Sequence, residues 1–204
     1  MVPVDELEDY HPNRKRRRVI AFSIALAMAA AALSTLLLRP SPRGEVEADR
    51  LPEFELAYLT REGSLAPSDL LGAPVVLNFW ASWCGPCREE ARTFEAAWDR
   101  YRPAGVQFVG VNVCDLEPAA EDFVEEFGIT YPVVRDPDQV LADALGIECR
   151  LPQTFFVDET GTFVATSAGA EIEGRGGGAV VLGGIEPEEL RARIDELLAA
   201  GADA

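Results

Sequence analysis

Strands and helices that alternate, followed by a hairpin and a last helix, predict an α/β layer sandwich with a mixed central sheet flanked by helices. Three observations carry that prediction. Val75-Val76-Leu77-Asn78-Phe79-Trp80-Ala81 is apolar nearly throughout, as a strand covered on both faces should be. Ala91, Phe94, Ala97, Trp98 and Tyr101 then recur at spacings of three and four before Pro103, which predicts a helix running to about Tyr101 with this stripe in the core. Near the far end, Asp158-Glu159-Thr160-Gly161 is a turn signature between Thr154–Val157 and Thr162–Thr166, which predicts a hairpin.

Residues 1–18 form a polar tail that ends in the basic block Arg14-Lys15-Arg16-Arg17-Arg18. Residues 19–38 carry no charge, and only Ser23, Ser34 and Thr35 interrupt them. About twenty helical residues span a hydrocarbon core of roughly 30 Å, so this stretch predicts a single transmembrane helix. The basic block holds the N-terminus in the cytoplasm and sends the rest of the chain outward. The competing reading is a cleaved signal peptide, with Ala30-Ala31-Ala32 as the place to cut; the run exceeds the usual apolar region of such peptides, and Leu36-Leu37-Leu38-Arg39-Pro40 lacks a small-x-small site. Residues 39–50 shift to Pro, Ser, Gly and charge and read as a linker, which leaves residues 51–204 as the folded domain.

Within that domain, Phe54–Tyr58 and the turn Arg61–Ser64 suggest an N-terminal hairpin. Ser68–Gly72 reads as a helical turn capped by Ser68. After the first helix come a buried strand over Val106–Val113, a helix over Pro118–Phe127 stopped by Gly128, a short strand over Tyr131–Arg135, and a helix over Asp138–Leu145 stopped by Gly146. Gly174–Gly178, with Arg175 its one non-glycine, reads as a turn and not a phosphate cradle, because no Lys-Ser/Thr and no helix follow. Glu188–Ala200 is an amphipathic helix with Leu190, Ile194, Leu197 and Leu198 inward.

Charge and histidine content exclude several functions. The formal net charge is −17, yet residues 1–43 hold seven Lys and Arg against four Asp and Glu, so residues 44–204 hold 11 against 31, a net of −20. So acidic a domain argues against a nucleic-acid partner and is most simply soluble. The one histidine, His11, lies in the tail, which removes Cys-His catalysis and histidine-ligated copper or zinc from the folded region.

Chemistry concentrates at Trp83-Cys84-Gly85-Pro86-Cys87, between the central strand and the first helix. Cys84 at a helix N-terminus meets unpaired N–H groups and the positive end of the macrodipole, which favour thiolate over thiol. After two intervening residues, Cys87 returns close enough to attack a mixed disulfide at Cys84. Pro86 suits the first turn, where its missing N–H costs nothing. Cys114 and Cys149 complete an even cysteine count, which permits disulfides outside the cytoplasm.

Together, Trp83–Cys87 and Leu151-Pro152-Gln153-Thr154-Phe155 resemble the thioredoxin fold, over about residues 50–200. That resemblance implies a cis bond before Pro152, facing the cysteine pair, with the backbone of Leu151 beside Cys84 for pairing with an extended substrate. The anchor, the linker, Asn78–Cys84 and Arg88-Glu89-Glu90 narrow it to the membrane-anchored TlpA-like group, which includes reductants of cytochrome c maturation. Asn78 replaces the buried Asp that ordinary thioredoxins carry, and Glu90 matches the Glu of the maturation proteins three residues after the second cysteine. The resemblance implies that Glu90 accepts the Cys87 proton, directly or through water, with a pKa raised by partial burial; the plainer alternative is a solvated residue like Glu89. In a thioredoxin sheet the strands leading from Cys114 and Cys149 flank the central strand, so the two could form a second disulfide, structural or a relay, or stay unlinked. The segment Ala170–Gly178 is longer than the family needs.

These readings imply a thiol-disulfide oxidoreductase in the cell membrane, single-pass, with its catalytic domain outside. Cys84 is the nucleophile, Cys87 the resolving thiol, and Trp83, Gly85, Pro86, Asn78, Leu151 and Pro152 support them. It needs no cofactor beyond the redox-active pair and no metal; its partners are protein thiols or disulfides, such as apocytochrome c haem-attachment cysteines, and a membrane electron donor of the thiol-reducing transporter type. The same chemistry run backwards would insert disulfides into secreted proteins. A peroxidase of this fold needs Thr or Ser at the position held by Ala81, and a non-catalytic binding module commonly lacks one of the two cysteines that are present here.

Overall fold

A computed structural model describes residues 50–164 and 180–202. The predicted tail, span and most of the linker, together with Ala170–Gly178, lie outside these residues. Among the described residues no helix is long and apolar enough to cross a membrane.

The strands among these residues are β1 Leu56–Ala57, β2 Ser64–Leu65, β3 Val75–Trp80, β4 Gln107–Val113, β5 Val133–Asp136, β6 Gln153–Val157 and β7 Val180–Leu182. The α-helices are α1 Gly85–Tyr101, α2 Glu117–Phe127, α3 Val140–Leu145 and α4 Pro187–Ala202. β1 and β2 form the N-terminal hairpin. The other five strands form one sheet in the order β5-β4-β3-β6-β7, with β3, β4 and β5 mutually parallel and β6 antiparallel to both its neighbours. This is the thioredoxin-like α/β arrangement: a mixed central sheet with flanking helices.

All six residues of β3 are buried because both faces of the sheet are covered. Side chains alternate along a strand, so neighbouring residues belong to different cores. Val76, Trp80 and Phe156 pack with Ala91 and Phe94 of α1, Phe123 of α2 and Ile194 of α4. Val75, Leu77, Phe79 and Phe155 pack with Leu141 and Leu145 of α3 and with Leu56 and Leu65 of the hairpin. The alternation therefore turns Asn78 toward the α1 layer. Trp80 lies across β4 at Gly110, where an added Cβ would come within 2.9 Å of its indole nitrogen.

The structure corrects some local expectations. Asp69, not Ser68, caps the turn after β2: its carboxylate accepts from the Ala66 N–H at 2.8 Å, over a 3-10 turn at Pro67–Asp69. The turn after β6 forms, with the Asp158 N–H donating to the Thr162 carbonyl at 2.8 Å. Among the described residues its second arm makes isolated bridges, Thr162 to Arg50 and Phe163 to Val157 of β6, while β7 pairs with Gln153–Phe155. The strand expected over Tyr131–Arg135 is Val133–Asp136, since Pro132 has no N–H to give a ladder. There the buried Asp136 accepts the N–H groups of Val140, Leu141 and Ala142 and so starts α3 later than Asp138.

Candidate active site

β3 ends at Trp80, and Ala81, Ser82 and Trp83 make the turn into α1. Cys84 is the N-cap of that helix, in extended conformation, and its Sγ accepts the Cys87 N–H at 3.2 Å. Cys84 and Cys87 are joined as a disulfide with Cα atoms 5.3 Å apart, 4% and 2% exposed, while Gly85 and Pro86 on the first turn are exposed. Trp83 is the exposed large side chain of the motif, at 58%, and its indole N–H donates to the Cys114 carbonyl at 2.8 Å.

Glu90 sits one turn beyond Cys87 on the same helix. Unlike the exposed Glu89, it is 5% exposed, because it points inward at the sheet. Two donors meet it there: the Asn78 amide at 3.1 Å on Oε1 and the Ile185 N–H at 3.0 Å on Oε2. Asn78 also donates to the Thr154 hydroxyl at 3.1 Å, across the register pair that joins β3 to β6. Burial pushes the Glu90 carboxyl up to about 7, and the Ile185 N–H and the Asn78 amide, in that order, hold it from going further. Loss of hydration outweighs both hydrogen bonds, so a carboxyl that changes protonation near neutral pH stands behind the cysteine pair.

The Leu151–Pro152 peptide bond is cis, at the head of β6. The Gly183 N–H donates to the Pro152 carbonyl at 2.9 Å, which ties this segment to the loop after β7 that also supplies Ile185. Thr154 and Ile185 are site residues that sequence reasoning did not single out. Thr154 is one threonine in an ordinary strand pattern, and Ile185 acts through its backbone, which carries no residue-type signal.

Cys114 follows β4 and Cys149 precedes Pro152 by three residues. They are bonded, with Cα atoms 6.1 Å apart. β3 stands between β4 and β6, but the bond passes beyond its end because both cysteines sit outside the strands. The side-chain amide of Gln139 lies 3.4 and 3.5 Å from the two sulfurs. Among the described residues no group of three or more His, Cys, Asp or Glu is placed to hold a metal ion.

Residues 48–166 match the model of the AhpC/TSA family. The thiol-disulfide oxidoreductase ResA of Bacillus subtilis is 32% identical over 163 residues, which cover 79% of this chain and 90% of that protein. Among solved structures, one described as a thiol:disulfide interchange protein DsbE from Chlorobium tepidum superposes with a TM-score of 0.62 at 28% identity, covering 74% of this chain and 96% of that one. A DsbF homologue from Corynebacterium diphtheriae superposes with a TM-score of 0.59 at 28% identity, covering 78% and 97%.

Proposed function

The chain belongs to the AhpC/TSA family, within its ResA/DsbE-type thiol-disulfide oxidoreductases, and from that premise we propose that it reduces protein disulfides outside the cytoplasm, in cytochrome c maturation. The observation that carries this reading is a buried Cys84–Cys87 disulfide at a helix N-terminus with the Glu90 carboxyl, at about 7, one turn behind it. In the reduced protein the helix terminus favours the Cys84 thiolate, which attacks one sulfur of the substrate disulfide and expels the other as thiolate. Glu90 takes the Cys87 proton, directly or through one water, and the Cys87 thiolate attacks Cys84 Sγ. Both substrate sulfurs leave as thiolates that are protonated, one by Glu90 and one by solvent, and the enzyme keeps the disulfide.

Trp83 offers an apolar platform beside Cys84, and the backbone of Leu151 is the place for an extended substrate to pair. The substrate is the disulfide of a haem-attachment Cys-x-x-Cys-His in an apocytochrome c. A membrane electron donor of the thiol-reducing transporter class restores the dithiol, and residues 19–38 anchor the chain with its N-terminus in the cytoplasm. Ala81, fully buried, offers no hydroxyl where a peroxidase of this fold carries Thr or Ser, which sets this chain apart from the peroxide-reducing chemistry.

Dithiothreitol-driven insulin reduction tests the reading. The wild-type protein accelerates it and Cys84→Ser does not; absence of acceleration at every pH would overturn the assignment. The reduction potential of the Cys84–Cys87 pair tests the direction, since a value well above the glutathione range would make the protein an oxidant.

A further inference from the structure

Cys114 and Cys149 form a disulfide that the chemistry of Cys84 and Cys87 does not use. Each end of it is held in place without the bond. On one side, Asp115 accepts the Ser82 N–H at 2.6 Å, the Ser82 hydroxyl at 2.8 Å, the Asn112 amide at 2.9 Å and the Leu116 N–H at 2.9 Å. On the other side, the buried Gln153 amide donates to the Arg150 carbonyl at 2.7 Å and to that of Ile147 at 3.4 Å, and the Arg150 N–H donates to Ile147 at 2.9 Å. A cross-link between two segments that other bonds already fix can open and close while the fold stays shut.

The bond is also reachable, and its ends are strained. Both cysteines are half-buried, in contrast to Cys84 and Cys87. Their φ angles are 54° and 55°, in the left-handed region that side-chain-bearing residues rarely occupy. Strained or exposed disulfides are the labile, catalytic or regulatory ones. Cys114 lines an open cavity of about 490 Å³ together with Ser82, Trp83, Leu116, Ala119 and Pro137. Asp115, also in its wall, has both oxygens engaged, and no Lys or Arg lines the cavity to attract an anion. It suits an uncharged apolar group seated between Trp83 and Leu116.

We propose that Cys114–Cys149 is a second thiol–disulfide exchange site, opened by a dithiol whose reacting sulfur carries an uncharged apolar neighbour. One thiolate of that dithiol attacks Cys114 Sγ, the bond to Cys149 breaks, and Cys149 leaves as a thiolate that takes a proton. The second thiolate of the dithiol attacks the mixed disulfide and releases Cys114. The dithiol gives up two electrons and two protons and becomes a disulfide, and Cys114 and Cys149 receive them as thiols. The chain then carries two separate two-electron couples.

The full chain and a Cys84→Ser/Cys87→Ser variant, equilibrated with reduced and oxidised dithiothreitol and then alkylated, report which cysteines are free by peptide mass spectrometry. Cys114 and Cys149 should open reversibly, with unchanged far-ultraviolet circular dichroism, at a dithiothreitol ratio within about a hundredfold of that which opens Cys84–Cys87. Opening outside that window, or only with loss of the folded spectrum, would overturn the proposal. Ala119→Trp, which fills the cavity, should slow the opening of Cys114–Cys149 by about tenfold or more and leave Cys84–Cys87 unaffected; an unchanged rate would remove the cavity as the route. Because thiols are counted directly, this result is independent of whether the protein reduces insulin.

Discussion

Two disulfides lie on the same rim of this molecule, and their surroundings differ in every respect that matters to a thiol. Cys84–Cys87 is short-range, nearly inaccessible, seated on a helix N-terminus and backed by a buried carboxyl. Cys114–Cys149 closes 35 residues, is half-exposed, and is flanked by an amide and a hydrogen-bonded aspartate. The first has a helix N-terminus, which favours a thiolate, and in the function proposed above a carboxyl to take a proton from the other thiol. The second has neither, so its reactivity must come from access and strain, and its other contribution is cross-linking. Proximity to an active site does not by itself make a cysteine pair catalytic; the charge and hydrogen-bond environment does.

The largest contrast should come from removing each pair. Cys87→Ser leaves the mixed disulfide unresolved and should cut insulin turnover by roughly a thousandfold. Cys114→Ala/Cys149→Ala should instead cost about 2–4 kcal/mol of stability in urea melts, in keeping with a loop of that length, and leave turnover measurable. A turnover loss of equal size in both variants would erase the distinction drawn between the two pairs.

Glu90 gives the next test. Glu90→Gln should lower kcat/KM by roughly a hundredfold, the lower end of what a positioned acid–base group supplies, and should flatten its pH dependence around neutrality. The same group makes a stability prediction. Its folded pKa of about 7 lies above the ordinary value of 4.5, so the folded protein holds the proton more tightly. That contribution is fully present below about pH 4.5 and is lost as pH rises through about 7, a change on the order of 3 kcal/mol that urea melts of wild type and Glu90→Gln would separate. No counterpart is expected when the second pair is removed.

Smaller effects follow from single hydrogen bonds. Asn78→Ala removes a donor that favours the carboxylate and should move the Glu90 titration further up, readable by infrared or NMR titration, while Cys114–Cys149 stays unaltered. Trp83→Phe deletes the indole bond to the Cys114 carbonyl, which with the Ser82–Asp115 bonds joins the turn before Cys84 to the segment after β4. At so exposed a position it should cost about 0.5–1 kcal/mol and alter the opening of Cys114–Cys149 more than the stability of Cys84–Cys87.

Much of the site is local and was legible in the chain. The apolar run before Trp83, the two-residue spacing of the cysteines and the helical stripe from Ala91 to Tyr101 set the strand, the N-cap and the helix, because each follows from dihedral preference and periodicity within one element. Glu90 sits one turn from Cys87 for the same reason, and the motif's resemblance supplied the cis bond at Pro152. Local pattern reads element type better than element ends, as the shifts at Tyr131–Arg135 and Asp138–Leu145 show: a proline without an N–H and a buried aspartate moved those boundaries.

Only the tertiary structure decided what meets across the sheet. The order β5-β4-β3-β6-β7 sets Thr154 opposite Asn78 and carries the loop after β7 to Glu90, contacts that span 76 and 95 residues and leave no periodic trace in the chain. Burial among those partners, not residue type, separates Glu90 from Glu89 and brings its carboxyl to about 7. The pairing of Cys114 with Cys149 has the same origin, since two loops beyond the ends of separated strands are brought together by the sheet that holds them and by no signal in either segment.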